Sequence, residues 1–77
     1  MSMDVILKTG DRVRLNGRYH GYVKLASENG RSVLIDLEDG LPLAGGIYLN
    51  FAALSVDYEN QVVTDLFTGT EISVETV

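Results

Sequence analysis

The sequence contains no cysteine, one histidine and one proline. The absence of cysteine excludes a disulfide framework, a thiolate zinc site and a cysteine nucleophile. A single histidine excludes metal sites built from several imidazole ligands. The apolar runs are short, so we expect neither a membrane helix nor a signal-peptide core. With no export signal and no cysteine, the sequence favours a reducing, cytoplasmic setting.

The size and composition of the chain predict one small folded domain spanning residues 1–77. Its 77 residues are 45% hydrophobic and 22% charged, which is typical of a globular chain. A domain of this size without a disulfide or a metal has little buried area, and association between copies is a common way to add more. The net charge of −5 argues against general binding to DNA or RNA.

Most of the chain alternates apolar with polar residues at the period of a β-strand, as in Val33, Ile35 and Leu37. Turn signals such as Asn16-Gly17 separate these runs. The pattern predicts an all-β fold with no more than one helical turn, capped by Asn50 and ending at Leu54, and a packed loop over residues 41–46. The predicted strands are Val5–Leu7, Arg12–Leu15, Tyr19–Ala26, Ser32–Leu37, Ile47–Leu49, Ser55–Tyr58, Gln61–Asp65 and Glu71–Val74.

The order of these elements over residues 10–58 resembles small SH3-like barrels of the KOW and Tudor type. A Gly-Asp-x-Val entry, a Gly-x-Val second strand and a helical turn before the last strand recur in such barrels. Here the first two are Gly10-Asp11-Arg12-Val13 and Gly21-Tyr22-Val23. The resemblance implies a small barrel with a core over about residues 5–58, extended by a C-terminal hairpin over about 61–75. An OB-type barrel or a small sandwich is the alternative.

A second resemblance concerns a nucleotide ligand. The segment Arg14-Leu15-Asn16-Gly17-Arg18 is similar in spacing to the Arg-x-x-x-Arg segment with which PilZ domains bind cyclic di-GMP. The second PilZ segment is not matched, because Glu38 stands where a small residue belongs and Gly40 comes one residue early. We therefore expect two solvated arginines flanking a turn, and a nucleotide site stays an alternative.

Charge is divided unevenly along the chain. The first 31 residues carry all six lysines and arginines and three acids, whereas residues 32–77 carry eight acids and no lysine or arginine. This asymmetry allows two interpretations. It forms an interaction surface if the halves separate in space, or it is neutralised if oppositely charged strands pair across the sheet.

Strand alternation places a set of basic and aromatic residues on one outer face. This candidate binding face comprises Arg12, Arg14, His20, Tyr22 and Lys24, with Arg18 in the connecting turn. Two arginines beside a tyrosine suit a base, a phosphate or an acidic peptide. The same residues also fit an ordinary solvated sheet face with a half-buried Tyr22.

Nothing in the sequence assembles a catalytic or metal site. His20 has no nucleophile and orienting acid at a recognisable spacing. The acidic run from Asp36 to Asp39 lacks the glycine and glutamate positions of a calcium loop. We therefore expect no enzyme activity, no cofactor and no metal.

A possible self-association patch comes from apolar residues that lie opposite the main apolar pattern of their strands, namely Leu34, Tyr48 and Tyr58. The C-terminal hairpin could instead cover them. Phe51 and Phe67 are predicted core residues. The leading hypothesis is a small interaction module that binds a protein partner or forms a homo-oligomer, with a two-fold dimer favoured. The alternative is a nucleotide or nucleic-acid binder that uses the basic face.

Overall fold

Seven strands form one antiparallel sheet in the computed structural model, which describes residues 6–42 and 48–77. The described residues contain no helix, and therefore none that could span a membrane, so the all-β prediction is confirmed. The sheet order is β6-β5-β4-β3-β2-β1-β7. The strands are β1 (Arg12–Leu15), β2 (Tyr19–Ala26), β3 (Ser32–Pro42), β4 (Tyr48–Asp57), β5 (Val62–Asp65), β6 (Glu71–Ile72) and β7 (Val74–Thr76).

The C-terminal segment joins the two ends of the sheet. β6 pairs with β5, where Val63 lies opposite Ile72. Directly after Ser73, β7 pairs with β1 at the other end of the sheet, where Leu15 lies opposite Val74. One short segment therefore makes a nearly closed barrel, consistent with a small SH3-like or OB-type barrel. Closure of this kind leaves few strand edges unpaired.

Asn16 holds the point at which the C-terminal segment changes partners. The Asn16 N–H donates to the Ser73 carbonyl at 2.9 Å, and the Ser73 N–H donates to Asn16 Oδ1 at 3.0 Å. Asn16 adopts a φ of 51°, a left-handed conformation that asparagine tolerates better than most residues. The Asn-Gly turn between β1 and β2 is therefore also an attachment point for residues 71–76.

The predicted C-terminal hairpin is present, and it belongs to the barrel. β6 pairs with β5 as expected for this hairpin, although the predicted strand Glu71–Val74 is divided at Ser73 and Val74 belongs to β7. β5 also pairs with β4. Because β7 then pairs with β1, the barrel is closed by residues that the SH3-like resemblance leaves outside its core of about 5–58.

The predicted helical turn from Asn50 to Leu54 is wrong. These residues lie within β4, one continuous strand paired with β3 over most of its length. Ala52 and Leu54 point into the core, whereas Ala53 between them does not. This period-two burial decides the conformation, because a helix would remove both side chains from the sheet interior.

Other strand predictions are corrected in part. Ser55–Tyr58 is not a separate strand, because its first three residues are the end of β4. Ser32–Leu37 extends to Pro42, so the predicted loop over 41–46 begins within β3, and residues 43–46 lie outside the described residues. The described part of Val5–Leu7 is not a strand, although Leu7 is buried. Its N–H donates to the Tyr58 hydroxyl at 3.1 Å, which ties the N-terminal segment to the barrel.

The core consists of the inward-facing residues of the strands together with Leu7 from the N-terminal segment. Complete burial of a valine or leucine stabilises a fold by about 1.5–3 kcal/mol. The buried apolar residues are Leu7, Val13, Leu15, Val23, Val33, Ile35, Leu37, Ala52, Leu54, Val56, Val63 and Val74.

Candidate interaction surface

The predicted basic face lies mainly on the paired strands β1 and β2. Arg12 is opposite Tyr22, and Arg14 is opposite His20, so these four side chains lie on one side of the sheet. Lys24 is exposed at an irregularity of β2 between Val23 and Leu25. The structure thus brings together four of the predicted residues and places Lys24 two residues beyond Tyr22 on the same strand.

Arg18 lies apart from these side chains, in the turn between β1 and β2. Its guanidinium carbon is 5.2 Å from the centre of the Tyr19 ring, a cation–π distance. This contact is local to the turn, so Arg18 is engaged with its own neighbour.

The arginines of the basic face are paired with acids from the second half of the chain. Arg12 Nη2 lies 2.8 Å from Glu38 Oε1, and Arg14 Nη2 lies 2.7 Å from Glu75 Oε2. A third pair joins Arg31 to Glu59 at 3.8 Å. All three ion pairs of the described residues join the basic part of the sequence to the acidic part. The charge asymmetry is therefore largely neutralised across the sheet at these positions.

The tyrosine of this face is also bonded to an acid. The Tyr22 hydroxyl donates to Asp36 Oδ2 at 2.8 Å. This hydrogen bond, together with the negative charge of Asp36, raises the pKa of Tyr22 above its ordinary value. Tyr22 is therefore oriented toward β3.

We expect Asp36→Asn to lower the pKa of Tyr22 toward about 10, the value of a free tyrosine, because the substitution removes the carboxylate charge. The measurement is an NMR titration of the labelled Tyr22 ring carbon that bears the hydroxyl. Glu38→Gln is the control, since it removes a nearby charge that contacts Arg12. An unchanged Tyr22 pKa in Asp36→Asn would contradict the hydrogen bond.

Leu34 and Tyr58, two residues of the predicted self-association patch, lie in different surroundings. Leu34 lines a groove on the outside of the sheet. Tyr58 packs against the core, and its hydroxyl donates to the Gly30 carbonyl at 2.7 Å. The side chain of Tyr48 lies outside the described residues. Tyr58 thus stabilises the barrel, and Leu34 lies on a different surface.

Most of the surface around the Leu34 groove was not predicted from the sequence. Across β2, β3 and β4, Leu25 lies opposite Leu34, which lies opposite Ala53. Leu66 lines the same groove, which has a volume of about 450 Å³. Phe51 is two residues before Ala53 on β4, and Phe67 follows Leu66 and packs against Phe51. We call this set the apolar outer surface: Leu25, Leu34, Phe51, Ala53, Leu66 and Phe67.

Two local features of the backbone expose the side chains of Leu25 and Leu66. Beyond the register shift in β2, Leu25 is opposite outward-facing Leu34 and is 61% exposed. In the turn after β5, buried Asp65 accepts a hydrogen bond from the Phe67 N–H at 2.8 Å. This bond fixes a turn that leaves Leu66 59% exposed. The sequence feature that could have indicated this exposure is the apolar pair 66–67 inside a turn, because turns usually contain polar residues.

The prediction that Phe51 and Phe67 are core residues is wrong. They are 43% and 52% exposed, and they pack against each other edge to face with ring centres 5.4 Å apart. Phe51 points outward because it alternates with buried Ala52 on β4. The aromatic pair joins the turn after β5 to the outer face of β4.

The described residues contain no cluster of three or more histidine, cysteine or acidic side chains suited to a metal ion. Comparison with known proteins gives no functional lead, since no family model, curated sequence or solved structure matches the chain. The candidate site therefore depends on geometry alone.

Proposed function

We propose that this domain is a small protein-interaction module whose apolar outer surface binds a short segment of another protein. The observation that carries the proposal is the contiguity of Leu25, Leu34 and Leu66 around one groove. Single exposed apolar residues are common on protein surfaces, but a contiguous patch with a groove is typical of a binding site.

The dimensions of the surface favour a short segment as the occupant. This surface spans three strands and the turn after β5, and it covers on the order of 300 Å² at ordinary strand spacings. A stable interface between two globular surfaces buries about 800 Å² on each partner. A single strand or one face of a helix fits the smaller area. A second copy of the domain would need contacts well beyond this surface.

Charge further defines the expected partner. The domain has a net charge of −5, so two copies repel each other and a positively charged segment is attracted. The groove itself is lined by apolar side chains and the small polar residues Ser27 and Ser32. We therefore expect a segment whose apolar residues enter the groove and whose flanking residues are basic.

The nucleotide alternative has less support than protein binding. Arg12 and Arg14, the arginines nearest the centre of the basic face, each contact a carboxylate at less than 3 Å. A phosphate would have to displace Glu38 or Glu75 from its arginine, against the negative charge of both acids.

The proposal is tested with displayed random peptides selected on the intact chain. We expect the selected peptides to bind Leu25→Ser and Leu66→Ser at least tenfold more weakly, because burying one leucine contributes about 1.5–3 kcal/mol. Val77→Ser is the matched control, since Val77 is 73% exposed and does not belong to the apolar outer surface.

Light scattering over a concentration series accompanies the peptide titrations. Peptides that bind Leu66→Ser and the unchanged chain equally well would contradict the proposal. A dimer that dissociates on Leu66→Ser substitution would show instead that a second copy occupies this surface.

A further inference from the structure

A carboxylate lies between two aromatic side chains at the edge of the apolar outer surface. Asp36 on β3 is opposite Tyr22 on β2 and opposite Phe51 on β4. Residues opposite one another project to the same side of a sheet, so the three side chains form one row. Tyr22 and Phe51 are 40% and 43% exposed, and Asp36 is half-buried between them.

The cations of the described chain leave Asp36 without an ion pair. Arg12, Arg14 and Arg31 contact other acids, and no described lysine or arginine lies within 4 Å of the Asp36 carboxylate. Its one hydrogen bond among described side chains is the bond from the Tyr22 hydroxyl to Oδ2. Asp36 is thus a half-buried carboxylate without a cationic partner among the described residues.

We infer that Asp36 binds a lysine or arginine side chain of the partner segment, with the rings of Tyr22 and Phe51 beside the bound cation. The inference rests on the proposed function and identifies the positive charge that the partner carries. The carboxylate supplies a charge-assisted hydrogen bond, and the aromatic rings attract a cation through their negative faces.

The geometry of β3 relates this cation to the apolar part of the partner. Asp36 and Leu34 are two residues apart on one strand, so their side chains are about 7 Å apart on the same face. An extended segment lying along β3 has the same repeat. When a basic residue of the partner segment contacts Asp36, the partner residue two positions away therefore lies at Leu34, next to the groove. We expect that second residue to be apolar.

A short synthetic peptide tests this arrangement. The probe is acetyl-Leu-Thr-Arg-Thr-Leu-amide, whose order of side chains is the same in both directions, so either orientation along β3 places a leucine two positions from the arginine. Its analogue with citrulline in place of arginine has nearly the same shape and no charge. Both peptides are titrated into the intact domain and followed by amide NMR.

We expect the arginine peptide to bind about fivefold more tightly than the citrulline peptide, the upper range for an exposed charge pair. Asp36→Asn should remove this preference while leaving the affinity for the citrulline peptide unchanged, which also shows that the variant is folded. Glu71→Gln is the matched control because it removes one negative charge elsewhere on the sheet, opposite Thr64. It should keep most of the preference.

The outcomes separate the cation site from the groove. Equal affinities of the two peptides for the unchanged domain, with shifts at Leu34 and Leu66, would overturn the inference and leave the proposed function intact. A preference for arginine that survives Asp36→Asn would also overturn the inference. Absence of shifts in the groove with either peptide at millimolar concentration would overturn both.

Discussion

Deletion of residues 61–77 will unfold the domain. The deletion removes β5, β6 and β7, and with them one of the two partners of β1 and one of the two partners of the C-terminal part of β4. It also removes Val63 and Val74 from the core, where each buried valine contributes about 1.5–3 kcal/mol. A single small core rarely supplies more than about 3–5 kcal/mol of net stability, so the loss equals or exceeds the total.

The measurement is the amide NMR spectrum of the shortened chain, which we expect to have the narrow dispersion of an unfolded polypeptide. Deletion of Val77 alone is the control, because that residue is 73% exposed and contributes one backbone hydrogen bond to Arg12. A dispersed spectrum and cooperative unfolding of the shortened chain would mean that residues 6–58 form a complete barrel.

Gly30→Ala is expected to destabilise the domain by about 2–4 kcal/mol, a sum of backbone strain and overpacking. Gly30 has a φ of 71°, and an added Cβ would overlap the side chain of Ile6 and lie 2.9 Å from the Tyr58 hydroxyl. That hydroxyl is bonded to the Gly30 carbonyl and to the Leu7 N–H. The substitution therefore disturbs the contact that ties the N-terminal segment to the barrel.

Gly69→Ala provides the comparison, since Gly69 has a φ of 72° and an added Cβ there would have no atom within 4 Å. Gly69→Ala should lower the free energy of unfolding by only about 1–2 kcal/mol, because the substitution adds only the strain of a left-handed backbone. Urea unfolding of both variants measures the difference. Equal destabilisation by the two substitutions would contradict a steric role for the Gly30 position.

The strands whose bounds were predicted correctly have a clear local alternation over most of their length. β1 and β2 begin and end at the predicted residues because Val13, Leu15 and Val23 mark one face and Asn16-Gly17 marks the turn. The segment Asn50–Leu54 lacks such a constraint. Its two alanines, leucine and phenylalanine suit a helical turn as well as a strand, and pairing with β3 selects the strand.

The binding surface was predictable only in part for a related reason. Alternation alone placed Arg12 and Tyr22 on one face, and the register of β1 and β2 agrees with it. It could not identify the acids that bind the arginines, because Glu38 is 26 residues from Arg12 and Glu75 is 61 residues from Arg14. Such pairs exist only once distant strands are neighbours.

The all-β class, the exclusion of a cysteine-based site and the inward side of most strands follow from the amino-acid sequence, because composition and period-two burial are local properties. The tertiary structure alone decided how the barrel closes, since one C-terminal segment pairs with both β5 and β1. It also decided which apolar residues stay exposed. A register shift turns Leu25 outward. The hydrogen bond from the Phe67 N–H to Asp65 fixes a turn in which Leu66 is exposed. The groove therefore forms because of how neighbouring strands are arranged, and residue type alone does not predict it.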